Sequence, residues 1–348
     1  MIDVALLKKM CETPGAPGFE TAIRNEVMSE LHGLVDDVVV DNMGNLIATK
    51  KGTGDKSVMI AAHLDEIGFI VSHIDDDGFI RMHPLGGFDP KTLTAQRVIV
   101  HGKKDIIGVM GCKPIHLMST EERAKPLQIK DYFIDTGLPK EEVEQIVEIG
   151  SSITRERQLI EMGDCVNSKS LDNRVSVFIL LELFKRLKDK EVPFDIIGAF
   201  TVQEEVGLRG AHTAANGFDP DFAINLDVTI AYDVPGSQPQ EQVSKLGNGT
   251  AIKILDGMTI CDQRMVRFIK GIANKENIKW QPELLPAGGT DTAAMQRSSK
   301  GGSIAGAISI PCRNLHQVIE MCHKADVKAS IDLLEKCVVH LDEFDYNF

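Results

Sequence analysis

Apolar residues recur at helical spacing in VALLKKM (4–10) and ETAIRNEVMSEL (20–31), and the breaker-rich TPGAPGFE between them predicts two short helices joined by a turn. The pattern then shortens. DDVVVDNMGNLIATK (36–50) reads as two strands around an N-M-G-N turn, and SVMIAAHLD (57–65) as an apolar strand that ends at His63. From about residue 72 to residue 164 the chain breaks into short strands and turns (GFIRMHPLGG, QRVIVHG, DIIGVMGC) followed by a charged segment. Beyond Asp164, helices and strands alternate. DNRVSVFILLELFKRLKD is a helix with Asp172 at its start, and PFDIIGAFTV is a buried strand that delivers Glu204 and Glu205. DFAINLD delivers Asp227, GSIAGAISI precedes His316, and ADVKASIDLLEKCVVHL closes the chain as an amphipathic helix.

Strands alternating with helices imply an α/β fold whose central sheet is mostly parallel and flanked by helices. The change of texture divides the chain into a larger α/β domain made of residues 1–71 and 165–348 and an inserted, small β-rich domain of residues 72–164. Three of the candidate functional positions fall just past strand ends, where open α/β sheets build their sites. Asp75-Asp76-Asp77-Gly78 lacks the later ligands of a calcium loop and predicts a hairpin turn.

Composition narrows the function. With 348 residues, 43% of them apolar and 26% charged, the chain has the make-up of a globular protein able to bury a large core. A formal net charge of −13 argues against nucleic acid as a partner, because phosphate neutralisation needs a basic footprint. The seven cysteines form no C-x-x-C motif, and reduced thiols in a cytoplasmic protein are the simplest reading. The apolar run Val4 to Leu7 is too short for a signal-peptide core, and no stretch approaches a membrane span.

Four short motifs, AHLDE, SLDNR, VQEEVG and NLDVT, together with RNLHQVIE, supply His63, Asp172, Glu205, Asp227 and His316. Taken singly, each has an ordinary meaning: Asp172 reads as a helix N-cap and Asp227 as a strand-end turn former. Together, two imidazoles and three carboxylates suit zinc, cobalt or manganese better than calcium. Five ligands exceed what one tetrahedral ion takes, whereas two ions sharing a bridging carboxylate account for the number. Glu204, adjacent to Glu205 and not needed as a ligand, is the natural general base. Asp65, two positions past His63, is placed to accept the other ring N–H and fix its tautomer. Asp291, in GGTDTAA, is expected near the site but off the metal.

The order and spacing of PGAPGFE, AHLDEIGFI, LGGFDP, SLDNR, VQEEVGLRGA, LDV, GGTDTAA and His316 resemble the tetrahedral-particle aminopeptidases nearly end to end. These are cytosolic dinuclear metallopeptidases with glutamyl, leucyl and deblocking members, some of them labelled cellulases or endoglucanases. The resemblance implies a zinc-peptidase-like catalytic domain and two divalent ions per subunit. It assigns His63 and Asp227 to one ion and Glu205 and His316 to the other, with Asp172 bridging, Glu204 as base and Asp65 supporting His63. It also implies peptide substrates and dimers assembled into dodecamers through the β-rich insertion. Asn314 and Gln317 depart from the family pattern around the last histidine. A glycoside hydrolase is the alternative of a different class, disfavoured by one Trp and three Tyr as a poor supply of sugar-stacking platforms. Another metal-dependent deacylase or amidohydrolase of the same superfamily is the nearer alternative, and the position of the insertion, in the 109-residue interval from His63 to Asp172 (172 − 63), favours the aminopeptidases.

Overall fold

The computed structural model describes residues 2–347. Its larger layer is an 11-stranded sheet covered by helices. At the centre, Asp195–Thr201, Ser57–His63, Phe222–Ile230 and Ile304–Arg313 lie side by side and parallel. The parallel part is confined to these four strands and the outlying pair Thr250–Leu255 with Trp280–Leu284. Leu46–Lys50 and Asp37–Val40 on one side, and Glu320–His323, Cys165–Ser168 and Ile160–Met162 on the other, extend the sheet antiparallel. Within the flanks, Asp37–Val40 with Leu46–Lys50, Ile160–Met162 with Cys165–Ser168 and Ile304–Arg313 with Glu320–His323 are hairpins or short returns, whereas Leu46–Lys50 with Asp195–Thr201 and Cys165–Ser168 with Glu320–His323 join remote segments.

The central strands are buried on both faces, as parallel strands covered by helices must be. Val58, Ile60 and Ala62 face one core with the helix Leu171–Leu187, which packs between Val4–Glu12 and Lys324–Val339. Met59 and Ala61 face the other, where Ala199, Ala214, Ala215, Ala223 and Ala305 leave little bulk between the sheet and the helices Arg209–Phe218 and Asp291–Ser298. By strand alternation, His63, Thr201 and Asp227 continue this alanine-lined face.

The inserted segment closes into a six-stranded barrel. In order around it run Gly68–Ile74, Ile80–Leu85, Phe133–Asp135, Asp105–Gly111, Arg97–His101 and Ser152–Arg155, the last pairing back to the first. Phe69, Val71, Ile80, Val98, Val100, Ile134 and Ile153 fill it. The barrel strands therefore span 68–155 rather than 72–164. Gly68 already pairs with Leu85, and the residues after Glu156 leave the barrel for the hairpin Ile160–Met162 and Cys165–Ser168 of the large sheet. The Asp75–Gly78 stretch is the hairpin turn expected of it, with Asp75 Oδ1 accepting from Asp77 and Phe79 and Gly78 at φ 88°. Among the described residues no helix is long and apolar enough to cross a membrane.

Candidate active site

Seven of the side chains singled out by the sequence meet where the central strands separate. The strand Phe222–Ile230 pairs with Ser57–His63 only as far as Asn225 opposite Ala61, and the two then diverge, opening a space flanked by His63 and Asp227. Asp227 thus sits within a strand that runs on to Ile230, rather than just past its end. Asp172 is not helical: its φ/ψ of −77°/104° is extended, and the regular helix begins only after Asn173. That local conformation turns the Asp172 carboxylate toward the space in place of capping the helix. Glu204 and Glu205 occupy the turn between Asp195–Thr201 and the helix Arg209–Phe218. His316 lies in the loop after Ile304–Arg313, with φ 61°.

Asp172 stands between the two histidines. Its Oδ1 is 3.3 Å from His63 Nε2 and its Oδ2 is 3.3 Å from His316 Nε2. Asp227 Oδ1 and Glu204 Oε2 each approach His63 Nε2 to 3.8 Å, and Glu205 Oε2 lies 3.5 Å from His316 Nε2. Two sets of ligand atoms result, each gathered within 4.8 Å: His63, Asp172 and Asp227, and Asp172, Glu205 and His316. Both imidazoles turn the same nitrogen inward. His63 Nδ1 lies 3.0 Å from the Asp65 carbonyl and His316 Nδ1 2.9 Å from the Gly87 carbonyl. A carbonyl can only accept, so each Nδ1 carries a proton; Nε2 then donates toward Asp172 when the ring is charged and is free to bind a cation when the ring is neutral.

Asp65 departs from its expected contact. Its main-chain oxygen, not its carboxylate, makes the close approach to His63; the carboxylate stays 3.6 Å from Nδ1. The strand ends at His63, so alternation no longer governs Asp65. Its Oδ1 and Oδ2 instead accept the amides of Glu204 and Glu205, each at 3.0 Å, fixing the turn that splays the two glutamates apart. Asp291 accepts from Thr201 Oγ1 at 2.6 Å and belongs to neither ligand set. Sequence reasoning missed Glu320. This buried carboxylate accepts the amide of Asp172 at 2.9 Å and that of His316 at 3.0 Å, and its only sequence signal is its position four residues after His316.

Burial and crowding distort the charges. Burial, then the neighbouring Asp172, lifts Glu205 to about 8; burial likewise lifts Asp227 to about 7 and Glu204 well above the usual carboxylate range. Burial alone would raise Asp172 too, but hydrogen bonds from His316 and His63 outweigh it and hold Asp172 well below its ordinary value. Burial opposes charge on His316, yet Glu205 and Asp172 raise it to about 10. The cluster is thus acid-rich and short of positive charge. Glu205 Oε1 is buried with no hydrogen-bond partner, an acceptor left for a cation to satisfy. This nitrogen-and-oxygen donor set fits divalent zinc, cobalt or manganese.

The large helix-covered sheet with its inserted barrel is a fold that this chain shares with solved aminopeptidases. It superposes on the TET aminopeptidase of a marine-sediment Thaumarchaeota archaeon with a TM-score of 0.94, at 34% identity over 97% of this chain and 96% of that one. The TET1 peptidase of Pyrococcus horikoshii, which can assemble into a tetrahedron or a large octahedral shell, matches with a TM-score of 0.87 at 34% identity over 96% and 98%. A Thermotoga maritima protein called an endoglucanase matches with a TM-score of 0.79 at 28% identity over 95% and 96%. In sequence, the chain is 40% identical to a putative aminopeptidase of Acetivibrio thermocellus over 96% of this chain and 97% of that one. It is 34% identical to the lysyl aminopeptidase of Pyrococcus furiosus over 99% of each. Residues 44–333 match the model of the M42 glutamyl aminopeptidase family, and the chain belongs to that family.

The raised carboxylates set the pH response of metal-free protein. Glu205 and Asp227 keep protons to about 8 and about 7, so the native state binds more protons than the unfolded chain between the ordinary carboxylate range and those values. Stability from these groups is complete at low pH and falls as pH rises through the window. His316, raised to about 10, acts in the same direction above the ordinary histidine value. Stripped protein is therefore expected to melt at progressively lower temperature from about pH 6 to about pH 9, and added Zn²⁺ to raise the melting temperature most at the upper end. Melting curves of stripped protein that do not move with pH would contradict this charge assignment.

Proposed function

We propose that the chain is a dinuclear metallo-aminopeptidase that removes N-terminal residues from peptides. The observation that carries the reading is Asp172, whose two oxygens face separate imidazoles, each within its own set of three potential ligands. In this reading His63 and Asp227 would hold one ion and Glu205 and His316 the other, with Asp172 available to both. When bound, such ions would polarise the scissile carbonyl and lower the pKa of the attacking water. Zinc or cobalt suits the donors best, with manganese also accepted.

The chain's own groups do the rest. The two Nδ1–H to carbonyl bonds keep each imidazole in one tautomer and one orientation. Asp65 holds the Glu204 and Glu205 amides, so one carboxylate is presented as a ligand and its neighbour remains free. Glu204, buried and raised well above the usual carboxylate range, accepts the proton of the attacking water at its carboxylate and delivers it to the leaving amine nitrogen.

Assembly belongs to the same proposal. Ile107 and Val109 on the barrel strand Asp105–Gly111, and Ile115 and Leu117 in the turn that follows it, are large apolar side chains open to solvent in the single chain, which suits contact with further copies. We expect dimers built into a dodecamer in the cytoplasm, where the seven free cysteines remain reduced. Sedimentation at micromolar concentration is expected to give many times 38.2 kDa, and a monomer alone would reject this part of the reading.

Two neighbouring substitutions separate catalysis from binding. Glu204→Gln keeps the shape of the side chain and removes its basicity, so metal content is expected to survive while turnover of an aminoacyl chromogenic substrate falls by ~10²–10⁴-fold. Glu205→Gln is expected to lose metal first and activity in consequence. Near-normal turnover in Glu204→Gln, or equal metal loss in both variants, would overturn the roles of the pair.

A further inference from the structure

The two halves of the site rest on different parts of the fold. Everything that orients His63 and Asp227 comes from the large sheet and the turn after it: His63 Nδ1 meets the Asp65 carbonyl, and Asp227 Oδ1 accepts its neighbour's amide from Val228. His316 is gripped by the barrel. Its ring Nδ1 lies 2.9 Å from the carbonyl of Gly87, just beyond the barrel strand Ile80–Leu85. Its own carbonyl accepts at 3.0 Å from Nη1 of Arg155, the last residue of the barrel strand Ser152–Arg155.

Arg155 is a costly residue to bury. It is 2% exposed, and its Nε has no hydrogen-bond partner. Its guanidinium lies 5.6 Å from the ring centroid of Phe88, which is stacked at 4.3 Å on Phe69 in the barrel core. A charged head on an aromatic face, backed by a packed core, is held in direction and depth. No carboxylate lies within ion-pair distance of it among the described residues; Glu320 and Glu66 feel its charge from farther off, and the one acceptor its Nη1 reaches is the His316 carbonyl. Gly87 runs beside the ring: a Cβ there would stand in ordinary contact with it, 3.6 Å from His316 Nδ1.

We propose that Arg155 is a positioning residue for His316, and that with the Gly87 carbonyl it makes the Glu205–His316 half of the metal site depend on the seating of the barrel, while the His63–Asp227 half does not. The inserted domain then serves the chemistry as well as assembly. The inference rests on the two-ion reading above and adds to it an inequality between the ions that the ligand set alone does not require.

The test is calorimetric titration of the full-length, metal-stripped protein with Zn²⁺, at fixed pH, for wild type, Arg155→Met and Arg155→Lys. Wild type is expected to take up two equivalents. In Arg155→Met one equivalent should keep its wild-type affinity and the other weaken by about 10–100-fold, the usual cost of losing support for a metal ligand. Arg155→Lys, which keeps a donor and the charge, should recover part of that loss. Arg155→Gln is measured alongside, with the same selective loss expected, so that a misfolded methionine variant does not leave the matter open. Equal weakening of both equivalents, or no weakening of either, would overturn the role of Arg155. Fewer than two equivalents in wild type would overturn the two-ion reading, and this inference with it, and that outcome is visible before any variant is made.

Discussion

Carboxylates gathered in a buried pocket repel one another, and the strength of that repulsion grows as water is excluded. Asp65, Asp172, Glu204, Glu205 and Asp227 share such a space with two imidazoles in contact with them and the Lys253 and Arg174 charges farther off. The chain tolerates this because Asp65 and Asp227 accept backbone amides and because charges yield: Glu205 and Asp227 rise to about 8 and about 7, while Asp172, flanked by both histidines, stays ionised. A protein gains nothing in stability from such an arrangement. Its persistence makes sense as the preparation of a place for positive charge.

The fold supplies that place by letting parallel strands part. Pairing between Phe222–Ile230 and Ser57–His63 stops at Asn225, and the alanine-lined face beneath leaves room for polar side chains to continue it. The loops around that place are tied by single carboxylates that each accept two amides: Asp65 for Glu204 and Glu205, Glu320 for Asp172 and His316, Glu20 for Gly18 and Gln203. Each of these clamps joins segments that are distant in sequence or fixes a turn of unusual conformation, as at Gln203 with φ 55°. The barrel adds a further restraint at His316.

Much of this could be read from local pattern. The strand ending at His63, the buried strand before Glu204 and the strand carrying Asp227 are all written in short apolar runs whose type does not depend on distant partners. The change in texture announced the barrel, because short strands and turns differ in composition from a helix-covered sheet. What escaped was non-local. Barrel closure through pairing of Phe69 with Ile153, and the antiparallel flanks of the large sheet, depend on register between remote segments. The same holds for Glu320 and Arg155, whose meaning lies in the backbone atoms they reach. Asp65 was placed near its true position with the wrong contact, since strand alternation was extended two residues beyond where the strand stops. Asp172 reads as a helix cap only when taken singly; the motif set marks it as a ligand candidate, but the extended φ/ψ that turns it toward the histidines is not visible in the sequence.

The central claim is that Asp172 stands between two cations. Anomalous diffraction at the zinc edge, from crystals of protein loaded with Zn²⁺, addresses it without reference to activity. The account requires two peaks roughly 3.5–4 Å apart, one beside each oxygen of Asp172, the first within reach of His63 and Asp227 and the second within reach of Glu205 and His316. A single peak, or a pair lying away from Asp172, would contradict it.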